Sequence, residues 1–260
     1  MEFLSKKEIA HSKKFLQNGY VISRVEQKKS LNYIKDLIVN YSNIILNKKN
    51  INLNKIHNYV SSKQLNEFRL DIINKINKDK KIRYHYFNTA RNYLYTLAGN
   101  ELMMQKNINL SIQFPNDDSS LLPIHSDVWS GDSPHEINLW IPLVDCYKTK
   151  SMYILENKYM NRFNYDIKNQ QITNSRQIFN LVKKKIKWLK VNYGQCLIFN
   201  QALPHGNIIN KENETRWSMN CRFKSLFSPY GDKKIGEFFV PITTRPMTDI
   251  GLNFKYPFKK

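Results

Sequence analysis

The tripeptide His125-Ser126-Asp127 offers an imidazole nitrogen and a carboxylate oxygen two positions apart. In an extended chain, side chains i and i+2 share a face, so both donors can reach one cation. A third protein ligand would complete the facial triad of a non-haem metal site. The chain has six histidines. His11, His57 and His85 fall where the pattern is helical and are assigned to the surface or to helix packing. His135 lies close to the pair and stays open as a loop ligand. His205 is the better candidate. It follows the apolar run Cys196-Leu197-Ile198-Phe199 and a turn ending at Pro204, and it precedes Gly206. That is the setting of a strand-end ligand at a barrel mouth.

Eleven residues beyond His205, an alternating run begins. Arg216, Ser218, Asn220 and Arg222 fall on one face; Trp217, Met219, Cys221 and Phe223 fall on the other. If the apolar face packs under helices, the polar face points into a cavity. A buried guanidinium requires a partner, and its fork of donors matches a carboxylate held bidentately. Ser218 adds a hydroxyl on the same side. Taken singly, each piece also fits a bland setting: a turn for the H-x-D, a solvent-facing edge strand for the arginines.

The elements that must position these groups change character along the chain. In the first hundred residues the apolar spacing is helical. Ser30 is expected to cap a helix through Leu31, Ile34, Leu37, Ile38, Tyr41 and Ile45. Further helices are expected over 64–76 and 84–97, with a short strand at Gly19-Tyr20-Val21-Ile22. From about residue 107 the period becomes two, giving strands at 109–114, 137–144, 151–155, 195–199 and 216–227. Residues 157–190 read as a polar insertion with a helix over 175–187. Helices first and then many short strands argue for an α+β protein, a β-barrel or jelly roll flanked by helices, and against alternating βαβ units.

Charge sharpens the division. The 260 residues carry 41 Lys and Arg against 21 Asp and Glu, a net charge of +20. Residues 101–145 reverse the sign, with one basic and seven acidic residues. The overall excess invites an anionic partner, namely nucleic acid, a membrane surface or a phosphorylated substrate. The joint abundance of Asn, Ile and Lys fits biased coding equally well. Lys183-Lys184-Lys185-Ile186-Lys187-Trp188-Leu189-Lys190 is the best local support for nucleic-acid binding, but no recognition motif accompanies it, and a solvated helix face accounts for it. Three cysteines without a C-x-x-C spacing indicate no disulfide framework or cysteine zinc site, and fit a reducing cytoplasm. No run approaches 18 apolar residues, so no transmembrane segment is expected.

Together, His125, Asp127, His205 and Arg216-x-Ser218 resemble the iron(II)/2-oxoglutarate-dependent dioxygenases, in particular the phytanoyl-CoA dioxygenase-like branch. Phe15-Leu16-Gln17-Asn18-Gly19-Tyr20-Val21-Ile22 is similar to that family's first helix and strand, and Asn138-Leu139-Trp140-Ile141-Pro142-Leu143 to its tryptophan strand. The resemblance spans residues 15–227. A narrower one, carried by His125 to Pro134 and by Leu143-Val144-Asp145-Cys146-Tyr147, is to oxygenases of carbohydrate-biosynthesis clusters. The family often has Ser two residues after the distal His, where this chain has Asn207.

The resemblance implies one domain over 1–260: a mainly helical flank at 1–100, a double-stranded β-helix (jelly-roll, cupin-like) core at 107–227, and a C-terminal extension at 228–260. It implies Fe(II) on His125, Asp127 and His205, with 2-oxoglutarate and O2 as cosubstrates. Arg216 and Ser218 would hold the far carboxylate of 2-oxoglutarate, and Gln113, Trp140 and Asn207 would shape its pocket. The reaction implied is hydroxylation of an unactivated C–H of a small molecule, such as a sugar or nucleotide-linked sugar. Halogenating relatives replace the carboxylate ligand by a small residue; Asp127 argues against that outcome. Trp129, Asp132, His135 and Arg222 are candidates to meet the substrate, whether glycosidic or anionic. Two other readings compete: a cupin-like metal isomerase or epimerase, which has no need of Arg216-x-Ser218, and a basic nucleic-acid-binding module.

Overall fold

The computed structural model describes residues 3–170, 172 and 174–258. The chain opens with helix α1 (Lys6–Asn18), started by a capping box in which Ser5 and Glu8 serve each other's backbone N–H. It stops at Gly19, whose φ of 79° lies in the left-handed region that favours glycine. Strand β1 (Tyr20–Arg24) follows, then α2 (Lys28–Leu46), α3 (Leu65–Lys78), α4 (Ile82–Asn88) and α5 (Arg91–Ala98). Next come β2 (Leu102–Gln105), β3 (Asn109–Gln113), β4 (Ile137–Pro142) and β5 (Tyr153–Leu155). Helices α6 (Met160–Asn169) and α7 (Ser175–Val182) precede β6 (Ile186–Trp188), β7 (Gln195–Asn200), β8 (His205–Gly206) and β9 (Arg216–Ser225). Strand β10 (Phe239–Thr243) and helix α8 (Pro246–Asn253) complete the described elements.

The strands form two antiparallel sheets. The larger runs β1-β7-β4-β9-β2-β10, with β3 also on β9; the smaller runs β6-β5-β8. Strand β9 is long enough for two neighbours on one edge: Arg216 to Asn220 pair with β3, and Phe223 to Ser225 pair with β2. Alternation along β4 and β9 sends Leu139, Ile141, Trp217, Met219, Cys221 and Phe223 into the main core with the helical flank. Phe68 of α3 meets Trp217 edge-on at 6.2 Å, and the Trp217 indole donates to the Leu53 carbonyl. The Tyr86 hydroxyl of α4 reaches the carbonyls of Leu139 and Met219. The helices therefore back one face of the large sheet, and its polar face turns toward the small sheet.

Several expectations change at element ends. Helix α2 starts at Lys28 with Gln27 before it; Ser30 is a buried helical residue bonded to Gln27 and His85, not the cap. The helix expected over 84–97 is broken, because the Thr89 hydroxyl returns to the Tyr86 carbonyl at 2.6 Å and Ala90 leaves helical geometry. In the insertion, α7 ends at Val182. The lysine-rich run is thus a turn and edge strand β6, not a helix face, and Lys187 pairs with Glu156 at 3.1 Å. The insertion is also less polar than it reads. Phe163 and Val182 join Ile124, Tyr153 and Leu155 in a second apolar cluster, which covers the small sheet. Strands β1, β2 and β10 extend the large sheet beyond 107–227. Among the described residues, no helix is long and apolar enough to cross a membrane.

Candidate metal centre

His125 and His205 form an antiparallel bridge with mutual N–H···O distances of 2.9 and 2.8 Å. That pairing puts the two imidazoles side by side, ring centres 4.3 Å apart. The Nδ1 of each ring faces the carbonyl two residues earlier, Pro123 at 2.8 Å and Leu203 at 2.9 Å. A carbonyl accepts only, so each Nδ1 carries the proton and each Nε2 presents a lone pair. Gly206 follows because a Cβ there would press on the Tyr153 hydroxyl and the Leu122 carbonyl.

Asp127 reaches the same point from a short 3-10 turn (Asp127–Ser130), not from a regular strand. The same-side placement survives because the intervening Ser126 is extended, at φ −121° and ψ 132°. The Asp127 N–H donates to the Gln201 carbonyl, and the Ser126 hydroxyl to those of Gln201 and Ala202. One donor atom from each of His125, Asp127 and His205 lies within 4.8 Å of the others. Asp127 Oδ1 is 3.6 Å from His125 Nε2, while its buried Oδ2 has no partner.

Burial alone would raise the Asp127 carboxyl, but the adjacent His125 imidazole and the Arg222 guanidinium hold it well below the usual carboxylate range. Burial pushes His205 down to about 4, so it stays neutral and able to coordinate. Burial also opposes charge on His125, yet the neighbouring Asp127 carboxylate raises it above its ordinary value. Two neutralisable nitrogens, one anionic oxygen and an orphaned buried lone pair suit a divalent transition metal.

The opposite wall comes from β9, β3 and β4. Arg216, Ser218, Asn220 and Arg222 all line a cavity of about 380 Å³, together with the three metal-capable side chains and Trp140. Arg216 is 4% exposed; its Nη2 donates to Ser111 Oγ at 2.8 Å, and its Nε has no partner. Among the described residues no carboxylate pairs with it, and burial pushes the guanidinium down to about 10. Ser218 Oγ beside it is also unpartnered. Gln113 donates to the Ile208 carbonyl at 2.6 Å, leaving its Oε1 free. Asn207 lines the cavity, but its amide is engaged: it accepts from Leu122 N–H at 2.7 Å and donates to the Ser120 carbonyl.

The remaining candidates separate. Arg222 bonds Asp127 Oδ1 at 3.2 Å, Asp132 Oδ2 at 3.4 Å and Gln201 Oε1 at 3.1 Å. Asp132 is therefore buried against an arginine, not offered to the cavity. His135 is exposed and stands outside the metal-capable group. Trp129 is 49% exposed and stacks on Phe163 of α6, away from the cavity lining. Ser111, Asn138, Gln201 and Arg69 were not anticipated. Ser111 and Asn138 follow from the alternation that singles out Gln113 and Trp140. Arg69 and Gln201 arrive from a helix and a turn with no such signal.

No protein-family model matches the chain, and no curated protein sequence does. Solved structures do share its fold. SnoK, a non-heme alpha-ketoglutarate-dependent carbocyclase from nogalamycin biosynthesis, superposes with a TM-score of 0.56 at 14% identity, over 93% of this chain and 97% of its own. EctD from S. alaskensis, solved with 2-oxoglutarate and 5-hydroxyectoine, gives 0.57 at 12% identity, over 87% and 78%. ThoJ, a non-heme monooxygenase solved as a nickel complex, gives 0.53 at 14% identity, over 90% and 84%. The fold is thus one used by non-haem 2-oxoglutarate-dependent enzymes.

Proposed function

We propose that this chain is a non-haem iron(II)- and 2-oxoglutarate-dependent oxygenase of the phytanoyl-CoA dioxygenase-like kind, one domain whose two sheets make a double-stranded β-helix. The observation that carries the reading is a buried arginine with no acid partner among the described residues, sharing one cavity with His125, Asp127 and His205. In this reading those three hold the iron, and Arg216 with Ser218 grips the far carboxylate of 2-oxoglutarate. Gln113 and Trp140 support that end, and Asn207 holds the 120–122 segment against the cavity. Iron, 2-oxoglutarate and dioxygen supply an oxidation coupled to formation of succinate and carbon dioxide. The protein orients the partners, neutralises their charge and excludes water. The retained Asp127 favours oxygenation over halogenation. Hydroxylation of an unactivated C–H is the proposed outcome. A sugar or nucleotide-linked sugar is the proposed substrate, and the amides of Asn138 and Asn220 in the lining suit hydroxyl groups.

The test is anaerobic addition of 2-oxoglutarate to the Fe(II)-loaded protein. A visible charge-transfer band, lost in Asp127→Ala, is the expected result. No band in the wild-type protein would refute the proposal. Succinate release stimulated by members of a glycan and metabolite panel would then identify the substrate.

A further inference from the structure

Helix α3 packs on β3, which among the described strands pairs only with β9. Phe68 points into the core against Trp217, and the next residue, Arg69, reaches the cavity beside Asn109 and Ser111. Its Nη2 donates to the neutral Asn66 Oδ1 at 2.6 Å, and its buried Nε has no partner. It makes no ion pair among the described residues.

Three guanidinium groups, Arg69, Arg216 and Arg222, line this cavity against a single carboxylate, Asp127. Arg222 is balanced by Asp132 just behind it. A divalent cation on Asp127 retains one positive charge and Arg216 adds another; doubly charged 2-oxoglutarate cancels both. Arg69 is then left over, a cation on the wall of a partly enclosed site where charge is weakly screened. Its planar fork matches the oxygens of a carboxylate or phosphate.

We infer that the substrate carries an anionic group, carboxylate or phosphate, and that Arg69 is its anchor, with Asn109 and Asn220 beside it. The inference rests on the cosubstrate reading above. It narrows the substrate class: a sugar substrate would be an acidic or phosphorylated one, not a neutral glycan.

Calorimetry on the protein loaded with Ni(II) and 2-oxoglutarate tests this with three probes: methyl phosphate, propionate and the neutral propionamide. At least one anion should bind the wild-type protein, and which one identifies the group; propionamide should not. Arg69→Gln should weaken that binding about tenfold, roughly 1.4 kcal/mol, while Ni(II) and 2-oxoglutarate affinities stay unchanged. The inference is overturned if neither anion binds, if propionamide binds as tightly, or if Arg69→Gln leaves anion binding intact. It is equally overturned if Arg69→Gln weakens 2-oxoglutarate instead, which would assign Arg69 to the cosubstrate. Failure of the wild-type protein to take up 2-oxoglutarate at all is a separate result, which removes the cosubstrate reading and this inference with it.

Discussion

On the wall that carries His125, Asp127 and His205, backbone carbonyls take up the outer nitrogen of each imidazole and Arg222 takes one carboxylate oxygen. On the facing β9 wall, Arg216 Nε and Ser218 Oγ are buried with nothing to bond. The first wall is finished before any ligand arrives: its side chains are oriented and only the donor atoms toward the cation remain open. The second is unfinished. A buried donor without an acceptor costs about 1–3 kcal/mol, and more when charged. In the proposed reading, bound 2-oxoglutarate supplies the missing acceptor. Lys150 shows what a buried cation looks like when the chain completes it. Fully buried, it bonds Glu214 at 2.7 Å and Asn54 at 2.8 Å. The contrast with Arg216 separates a cation that the chain completes from one that, in the proposed reading, 2-oxoglutarate completes.

The contrast can be broken in four places. Asp127→Ala removes the anionic donor of the finished wall. Ni(II) affinity should fall more than about 100-fold, beyond the usual effect of an outer-shell change, as read by calorimetry. Arg216→Met acts on the unfinished wall in two opposite directions. Affinity for 2-oxoglutarate should fall by about 2–5 kcal/mol, because the far carboxylate loses its charged partner. The ligand-free protein should gain about 1–3 kcal/mol in urea unfolding, because a buried unpaired charge is replaced by an apolar chain of similar length. A destabilised Arg216→Met protein would mean that the β9 wall is as complete as its neighbour.

Arg222→Gln loosens Asp127 without removing a donor atom, and should lower Ni(II) affinity by about tenfold while leaving 2-oxoglutarate contacts in place. An effect of similar size belongs to the completed cation. Glu214→Gln should destabilise the fold by about 1–2 kcal/mol, a discounted figure because the carboxylate is 32% exposed. The hydrogen bond from Lys150 holds Glu214 below its ordinary value of 4.5. The folded chain therefore binds this proton less readily than the unfolded one. The pair's contribution is complete above about pH 4.5 and is lost as pH falls through the lowered value. Thermal melts from neutral to acid pH should show that acid limb in the wild-type protein and a shallower one in Glu214→Gln.

Much of this arrangement is legible in the order of residues, and the reason is periodicity. Alternation in β9 separates Arg216, Ser218, Asn220 and Arg222 from Trp217, Met219, Cys221 and Phe223, and the structure places the two sets on opposite faces. Strands β3, β4, β7 and β9 were recoverable to within about two residues for the same cause. Elements without a strong period escaped: β2, β6 and β10 are short, and α6 is polar on much of its surface. Helix ends escaped too, since Ser30 and Thr89 chose local side-chain hydrogen bonds that no spacing announces.

The sequence by itself determined which strand side chains face the cavity, because side-chain direction in a strand depends only on neighbours along the chain. It also determined that a cluster of metal-capable donors was available at a strand end and beside it. Only the tertiary structure decided how their charges are matched. Asp132 went to Arg222, Glu214 to Lys150, and, among the described residues, no acid to Arg216 or Arg69. Those pairings join residues that are 64 positions apart, as in Lys150–Glu214, or 90 apart, as in Asp132–Arg222. Coulomb energy depends on distance in space and on burial, and neither is written in sequence separation.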